Sequence, residues 1–329
     1  MSDRFQFVKI NNDCSSQRRV TSGVPQGSVL GPTLFIFFIN DLPNVPETPM
    51  KIFADDTKVY KDINNDTDVE TLQSAIDEMH KWTEKWLLKF NSDKCKILHL
   101  GKKNPRNEYF IGEGEERVPL EKSDLEKDLG VYIDMNLDFK NHISNTVKKA
   151  YYSCYKILKN FTFRDHTILV PLFKTLVRPI LEYGNTVWNN GIKKYMNKIE
   201  TVQRKFTKYI KGMHHMSYEN RLRIIKLPSL EYRQLRGDLI QVFKIAKNFY
   251  DPISTESIFD FETSSRLRGH MYKINKQITN KTKYKNFFSN RIINSWNSLP
   301  NHIIDAKSIN EFKNKIDLFY KDIIYCTSI

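Results

Sequence analysis

Short apolar runs separated by polar breaks mark the first 140 residues, a pattern typical of β-strands and hairpins. Residues 5–20 are predicted to be extended, and apolar and polar positions nearly alternate in "FQFVKI" at their start. In the segment Met50–Lys61, "MKIFADDTKVYK", two such runs flank the adjacent aspartates Asp55 and Asp56, and this arrangement predicts a hairpin. Further short strands are predicted within Cys95–Gly101, Asn104–Leu120 and Asp128–Phe139.

The segment Ser22–Pro32 contains three glycines and two prolines, which predict a loop. The apolar run Leu34–Ile39 follows it. Because Pro32 suits a first helical turn, this run predicts a buried helix that ends at about Asp41. The run is too short to span a bilayer, and the N-terminus has no apolar signal core. We therefore expect an intracellular protein without a signal peptide or transmembrane segment; nucleus and cytoplasm are not distinguished.

Apolar residues recur every three or four positions in much of the remaining chain, which predicts helices. The first is Asp68–Phe90, and helical periodicity dominates after about residue 140. A helix over Thr167–Tyr183 contains Pro171 and Pro179, so we expect it to be kinked or split. Other helices are predicted at 143–161, Ile192–Met213, 219–227 and 231–249, and again after a polar stretch near 251–285 that we expect to be mobile.

The overall charge of the 329-residue chain is strongly positive. Lysine and arginine number 52 against 38 aspartates and glutamates, a formal net charge of +14. Such an excess favours a polyanionic partner, with nucleic acid first, over a merely soluble basic protein. The four cysteines lie far apart with no C-x-x-C pair, so they indicate neither a zinc site nor a disulfide framework.

Much of this charge falls on the predicted helix Ile192–Met213, where one face carries seven basic residues and a single acid, Glu200. A solvated surface and a phosphate-binding surface both fit this face, and the excess of the whole chain gives them equal weight. The basic residues are Lys193, Lys194, Lys198, Arg204, Lys205, Lys208 and Lys211.

The pair Asp55–Asp56 is ambiguous by itself, because aspartates are common in turns as well as in metal sites. Side chains alternate between the two faces of a strand, so only one of the pair would face a metal ion unless the turn bends between them. Phosphoryl transfer with two metal ions needs a cluster of carboxylates, and a second strand would have to supply the others.

Four motifs in order resolve this ambiguity by resemblance: "SGVPQGSVLGPTLFIFFINDL", "FADD", "WLLKFNSDKCKILHLG" and "DLGVYID". Their order and spacing resemble the reverse transcriptase of a non-LTR, LINE-type and jockey-like retrotransposon. The basic helices and "RIINSWNSLPNHII" near the C-terminus also resemble that group. The resemblance implies an RNA-directed DNA polymerase of the nucleotidyltransferase class. It implies an α+β fold, with a partial polymerase palm of β-hairpins packed on helices at 1–140, an all-α basic thumb at 141–215 and a helical C-terminal region at 216–329.

The resemblance also implies roles for individual residues. Asp55 would be the catalytic metal ligand and Asp56 the supporting acid, with Mg²⁺, or alternatively Mn²⁺, as the cofactor. Lys94 would help to neutralise or protonate the leaving pyrophosphate. The remaining expected contacts are Phe53 and Ala54 beside the primer end, Pro25, Gln26 and Gly27 at the incoming nucleotide, Leu129 and Gly130 in a strand that grips the primer, and Lys193, Lys194, Lys198, Arg204, Lys205 and Lys208 on the nucleic-acid backbone.

The resemblance implies three partners: an RNA template, a DNA primer and deoxynucleotide triphosphates. It implies no membrane partner, and it leaves the oligomeric state open.

The family's first catalytic aspartate lies well upstream of the glycine-rich loop, where this sequence offers only Asp3 and Asp13 in unsuitable contexts. We therefore expect an N-terminally truncated domain that polymerises poorly alone. The alternatives are a non-catalytic nucleic-acid-binding remnant and, less favoured because "VLGPTLFIFF" offers mostly apolar residues, a viral RNA-templated RNA polymerase.

Overall fold

The computed structural model describes residues 3–21, 23–24, 27–249, 258–262, 269–276 and 282–327. The chain combines helices and strands, as predicted, and divides into two compact units, Met1–Asp124 and Leu125–Ile329. None of the helices in the described ranges is both long and apolar enough to cross a membrane.

Short hairpins and two helices make up the first unit. Its elements are β1 (Arg4–Gln6), β2 (Lys9–Ile10), β3 (Asp13–Cys14), β4 (Arg18–Val20), α1 (Gly31–Ile39), β5 (Met50–Phe53), β6 (Asp56–Val59), α2 (Asp66–Trp86), β7 (Lys96–Leu98), β8 (Phe110–Ile111), β9 (Val118–Pro119) and β10 (Glu121–Ser123). The pairs β1–β4, β2–β3, β5–β6 and β8–β9 are antiparallel, and β7–β10 is parallel. The described strands pair only two by two, rather than in a continuous sheet.

A small apolar core joins α1, α2 and the β5–β6 hairpin. Ile39, Met79 and Trp82 are buried in it, and Met50 and Ile52 of β5 pack against it. The helix α2 begins with a reciprocal capping box, in which the Asn65 side chain accepts from the Asp68 backbone N–H and Asp68 accepts from that of Asn65. This core fixes the base of the hairpin.

The helix α1 is less buried than its sequence predicts. The expectation of a buried helix is wrong, because Phe37 is 75% exposed and Ile36 57% exposed. Only Gly31 and Ile39 of this helix are fully buried. The side chains of Phe35 and Ile39 reach the small core, whereas Ile36 and Phe37 are left exposed.

The second unit is mainly helical. Its elements are β11 (Leu125–Asp128), β12 (Val131–Asp134), α3 (Lys140–Asn160), α4 (His166–Leu176), α5 (Arg178–Glu182), α6 (Asn185–Trp188), α7 (Lys193–Thr207), α8 (Tyr218–Ile224), α9 (Leu230–Ala246) and the helices Thr282–Lys285, Phe288–Arg291, Ile293–Asn297, Asn301–Ile304 and Ile309–Phe319. The predicted split is confirmed, because α4 ends before Val177 and α5 has Pro179 in its first turn. The basic helix α7 ends earlier than predicted, and turns follow Thr207.

The hairpin β11–β12 belongs to this second unit because its apolar side packs on α3. Val131 of β12 is buried in the same core as Ile143 and Trp188. The unit therefore begins before residue 140, the boundary expected from the sequence. The assignment of these regions to palm, thumb and C-terminal region stays a prediction.

A second core of this unit lies between α9 and the C-terminal helices, where Phe243 and Phe312 stack with ring centroids 4.1 Å apart. Part of the stretch 251–285, expected to be mobile, lies outside the described residues. Its described part includes Phe259 and Ile274, which are both buried in this core. Those two side chains therefore contribute to this core, while the expectation of mobility for the stretch stays a prediction.

A buried ion pair ties the C-terminal helices to α6 and α9. The Arg291 guanidinium binds the Asp238 carboxylate through two hydrogen bonds, 2.9 Å from Nε to Oδ2 and 3.0 Å from Nη2 to Oδ1. Asn185 donates to the same carboxylate at 2.9 Å, and Arg291 Nη1 donates to the Asn189 carbonyl at 2.6 Å. Burial raises the pKa of the Asp238 carboxyl, and Arg291 opposes that rise.

We expect Arg291→Ala to lower the free energy of unfolding by about 3–5 kcal/mol, because it leaves the buried Asp238 charge uncompensated. Lys315→Ala is the control, since the Lys315–Glu311 pair is more exposed and such pairs contribute about 0–1 kcal/mol. Urea denaturation followed by circular dichroism measures both. Equal losses of stability in the two variants would contradict the structural role of the buried pair.

Candidate functional site

The β5–β6 hairpin closes with a two-residue turn formed by Ala54 and Asp55. Phe53 pairs directly with Asp56, so the turn lies between these two residues. Ala54 has a positive φ of 52°, a conformation that first turn positions of tight hairpins adopt. Because Met50, Ile52 and Val59 pack inward at the base, the turn residues are left exposed.

Asp55 and Asp56 therefore differ in backbone position, although both are exposed. Strand alternation does not apply to Asp55, because it lies in the turn and in neither strand, which is the exception that the sequence left open. Asp56 is the first residue of β6, directly opposite the 63% exposed Phe53. Lys51 and Lys58 pair with each other further along the same hairpin. The exposed end of the hairpin thus offers two carboxylates in succession.

Carboxylate oxygens are the donors that Mg²⁺ takes from proteins, usually one or two together with water and substrate phosphates. Asp55 and Asp56 fit that donor set for one ion. Nowhere in the described ranges do three or more histidine, cysteine, aspartate or glutamate side chains gather as a metal site. The described residues therefore match part of a two-metal centre and do not assemble a whole one.

Four other predicted residues belong to this unit: Pro25, Gln26, Gly27 and Lys94. Pro25 and Gln26 lie outside the described residues. Gly27 has a φ of +80° with no atom within 4 Å of the position a Cβ would take, so glycine is needed there for its backbone conformation. Lys94 is exposed at the end of the 3₁₀ turn Ser92–Lys94, just before β7, and its backbone N–H donates to the Asn91 carbonyl at 3.0 Å.

Leu129 and Gly130 form the turn of the β11–β12 hairpin rather than part of a strand, which corrects the sequence expectation. Asp128 pairs with Val131, and both turn residues have positive φ, 43° and 87°. This is the backbone requirement of a type I′ turn. The Tyr183 hydroxyl donates to the Leu129 carbonyl at 2.8 Å, and a Cβ at Gly130 would lie 3.2 Å from the Tyr183 ring. Tyr183 therefore positions this turn.

Asp134 ends β12 and is buried, and it was not among the residues predicted from the sequence. Its carboxylate accepts the backbone N–H groups of Asn136 at 3.0 Å, Asp138 at 3.3 Å and Phe139 at 2.8 Å. These bonds shape the connection that leads into α3. The sequence signal for this role was the aspartate that begins "DMNLDF". Asp side chains commonly accept a hydrogen bond from the backbone N–H two residues further on, which here belongs to Asn136.

The basic face of α7 carries no exposed acid, because Glu200 is buried at 4% exposure. The expectation that Glu200 shares the charged face is wrong. Its carboxylate accepts from the Tyr218 hydroxyl and from the backbone N–H groups of Leu230 at 3.3 Å and Glu231 at 3.0 Å. Glu200 is separated from Met196, Gln203 and Thr207 by four, three and seven residues, so all four lie on the same side of the helix, the side that packs. This spacing was the signal in the sequence that Glu200 is buried.

The basic residues of α7 are exposed, with one exception. Lys193, Lys194, Lys198, Lys205 and Lys208 are exposed. Arg204 is half-buried, with its guanidinium carbon 5.0 Å from the Tyr218 ring centroid and its Nε buried without a hydrogen-bond partner. Lys205 covers Tyr151 of α3, with Nζ 5.4 Å from the ring centroid. The exposed charge of the face therefore comes from lysines.

Comparison with known proteins identifies the first part of the chain. Residues 3–140 match the family model described as reverse transcriptase (RNA-dependent DNA polymerase). This segment contains both hairpins described above. The chain contains a reverse transcriptase domain. The family prediction from the sequence motifs is therefore confirmed.

Relatives from mobile elements support the same family. The chain is 28% identical over 267 residues to the RNA-directed DNA polymerase from mobile element jockey of Drosophila melanogaster, which covers 77% of this chain and 28% of that protein. It is 25% identical over 216 residues to the probable RNA-directed DNA polymerase from transposon X-element of the same species, covering 62% of this chain and 23% of that protein. It is 29% identical over 217 residues to the RNA-directed DNA polymerase from mobile element jockey of Drosophila funebris, and the match covers 60% of this chain and 23% of that protein.

The chain thus spans about a quarter of the length of these curated relatives. No solved structure matches it. The segment that matches the reverse transcriptase model ends at residue 140, so it includes Asp55, Lys94 and Gly130 but not the basic face of α7.

The turn of the reverse transcriptase domain at Leu129–Gly130 gives a direct test of the Tyr183 contact. We expect Gly130→Ala to lower the free energy of unfolding for two reasons. A side chain is strained at this positive φ, which costs about 1–2 kcal/mol, and the added Cβ crowds the Tyr183 ring, which costs about 1 kcal/mol more. Gly212→Ala is the matched control, since Gly212 has a similar φ of +79° with open space around it. Thermal unfolding compares the two, and the difference should vanish in a Tyr183→Ala background. A difference that persists there would rule out the contact.

Proposed function

We propose that this chain supplies part of the polymerase centre of an RNA-directed DNA polymerase, which extends a DNA primer on an RNA template. In this proposal residues 1–140 are palm and residues 141–215 are thumb. The observation that carries it is the exposed Asp55 in the two-residue turn of the β5–β6 hairpin, inside the segment that matches the reverse transcriptase family.

Each predicted residue has a role in this proposal. Asp55 and Asp56 hold a divalent cation, Mg²⁺ or Mn²⁺, which when bound neutralises charge on the phosphates of the incoming nucleotide. The exposed Phe53 and the turn residue Ala54 lie beside the primer end. Gly27, with Pro25 and Gln26, approaches the incoming nucleotide, and Lys94 offers a cation to the leaving pyrophosphate. Leu129 and Gly130 hold the primer strand.

Asp55→Asn tests the hairpin directly. With a primer–template duplex and deoxynucleotide triphosphates present, we expect wild-type protein to bind Mn²⁺ measurably by electron paramagnetic resonance. The variant should bind it at least about tenfold more weakly, because one charged donor is removed. Any primer extension with Mg²⁺ should fall about a hundredfold or more in the same variant.

Glu115→Gln is the control, because Glu115 is an exposed acid of the same unit and lies in a separate turn. It should leave Mn²⁺ binding and extension unchanged. Equal Mn²⁺ affinity in wild type and Asp55→Asn, or extension that survives the substitution, would refute the role of Asp55.

A second candidate function is nucleic-acid binding without chemistry. It is favoured by the exposed lysines of α7, which have no exposed acid beside them on that helix because Glu200 is buried. Such a face contacts phosphates without reading sequence. This candidate and the polymerase are distinguished by whether divalent-cation-dependent synthesis accompanies binding.

Replacing Lys193, Lys194 and Lys198 together by alanine should weaken duplex binding. Removing one lysine–phosphate interaction reduces the slope of log affinity against log salt by about 0.9, so the triple variant should flatten it by about 2–3. Fluorescence anisotropy over a salt series measures the slope. The control replaces Lys307, Lys313 and Lys321 near the C-terminus by alanine. An equal change in both triple variants would show that net charge alone, rather than the α7 face, governs binding.

A further inference from the structure

The outward face of α3 forms a second basic stripe that none of the predicted contacts uses. Its exposed residues follow helical spacing and lie on the side of the helix opposite the buried Ile143, Ala150 and Ile157. The stripe consists of Lys148, Lys149, Tyr152, Tyr155, Lys156 and Lys159. From Lys148 to Lys159 it extends about 16 Å along the helix axis. The sequence of α3 contains no aspartate or glutamate.

The acids on the elements that pack against α3 are all engaged elsewhere. Glu200 of α7 is buried under the N-terminus of α9, and Asp134 of β12 binds backbone N–H groups. Glu182 of α5 pairs with Arg233, with 2.5 and 2.7 Å separations, and Asp165 caps α4 by accepting from the Thr167 backbone N–H at 2.8 Å. These neighbours therefore supply no carboxylate to offset the lysines of the stripe.

Two exposed tyrosines, Tyr152 and Tyr155, lie among the lysines of this stripe. Tyr152 is 61% exposed and Tyr155 57% exposed. Each has a lysine four residues on over its ring, with Lys156 Nζ 4.5 Å from the Tyr152 centroid and Lys159 Nζ 5.8 Å from the Tyr155 centroid. An apolar ring face beside a mobile cation is the combination that binds a base and its phosphate together.

We propose that this stripe, Lys148 to Lys159 on α3, is a binding site for a single-stranded polynucleotide, with bases stacked on Tyr152 and Tyr155 and phosphates contacted by the lysines. The inference rests on the proposed function only for its choice of nucleic acid as the ligand class. The two exposed rings favour a single strand over a duplex, since bases in a duplex are already stacked and present no free face. The uncompensated positive charge favours a polyanion over an apolar protein partner.

The double variant Tyr152→Ala/Tyr155→Ala tests the site. Binding of fluorescein-labelled oligothymidylate, oligouridylate and a DNA duplex is measured by anisotropy in EDTA, without nucleotides. We expect about a ten- to hundredfold loss of affinity for both single strands, an unchanged salt slope and an unchanged duplex affinity. Tyr152→Phe/Tyr155→Phe should bind like wild type because the rings remain. Lys156→Ala/Lys159→Ala should instead flatten the salt slope for the single strands by about 1.4, since each lysine–phosphate contact with a single strand contributes about 0.7.

The matched control is Phe319→Ala, an exposed aromatic residue of the same unit on a helix that carries Glu311 and Asp317. It should leave all affinities unchanged, and unfolding temperatures of all variants check that they fold. Single-strand affinity that survives the alanine double variant would overturn the proposal. So would equal losses of affinity for single strand and duplex. Because no metal or nucleotide is present, failure of the polymerase proposal would leave this result unaffected.

Discussion

The buried carboxylate of Glu200 is the constraint on which the arrangement of the second unit depends. Burial raises the pKa of this carboxyl, while hydrogen bonds from Tyr218 and from the first N–H groups of α9 oppose the rise. Unpaired backbone N–H groups and the dipole at a helix N-terminus favour a negative charge there. One side chain of α7 thereby holds both α8, through Tyr218, and α9 in place. It also removes the single acid from the exposed side of α7.

A second buried charge, the guanidinium of Arg221, lies at the C-terminal end of α7. Arg221 of α8 is 1% exposed, and its guanidinium donates to the Thr207 hydroxyl at 3.1 Å, the Arg204 carbonyl at 3.0 Å and the Met216 carbonyl at 2.7 Å. Carbonyl groups at a helix C-terminus favour a positive charge. The helix is thus fixed by an anion in its middle and a cation at its end, so the direction in which its lysines point is determined by buried groups.

Regular features of this fold follow from the sequence, whereas the roles of single polar residues depend on the tertiary structure. The periodicity of α2, the split between Pro171 and Pro179 and the hairpin at Met50–Lys61 were all predictable from local patterns. The exposure of Phe37 was not predictable, because an apolar run does not indicate which elements of the fold will cover it. Glu200 was predicted on the charged face of its helix, and Asp134 was not singled out. Their burial becomes evident only when the N–H groups they bind are located in space.

Asp55 in the first unit and the acids around α3 and α7 in the second unit lie in different environments, and this difference bears on which groups remain available to a ligand. In the first unit Asp55 sits on a solvated turn, where an ionised carboxylate keeps its water and needs no partner. In the second unit the acids around α3 and α7 are engaged by backbone N–H groups or arginine. The exposed lysines of those helices then have water, counterions and the tyrosine rings of α3 as neighbours rather than carboxylates. Their mutual repulsion is small at physiological salt, where the Debye length is about 8 Å. When lysines neutralise the phosphates of a nucleic acid, the counterions condensed on that polyanion are released, and no nearby carboxylate on this surface competes for the lysines.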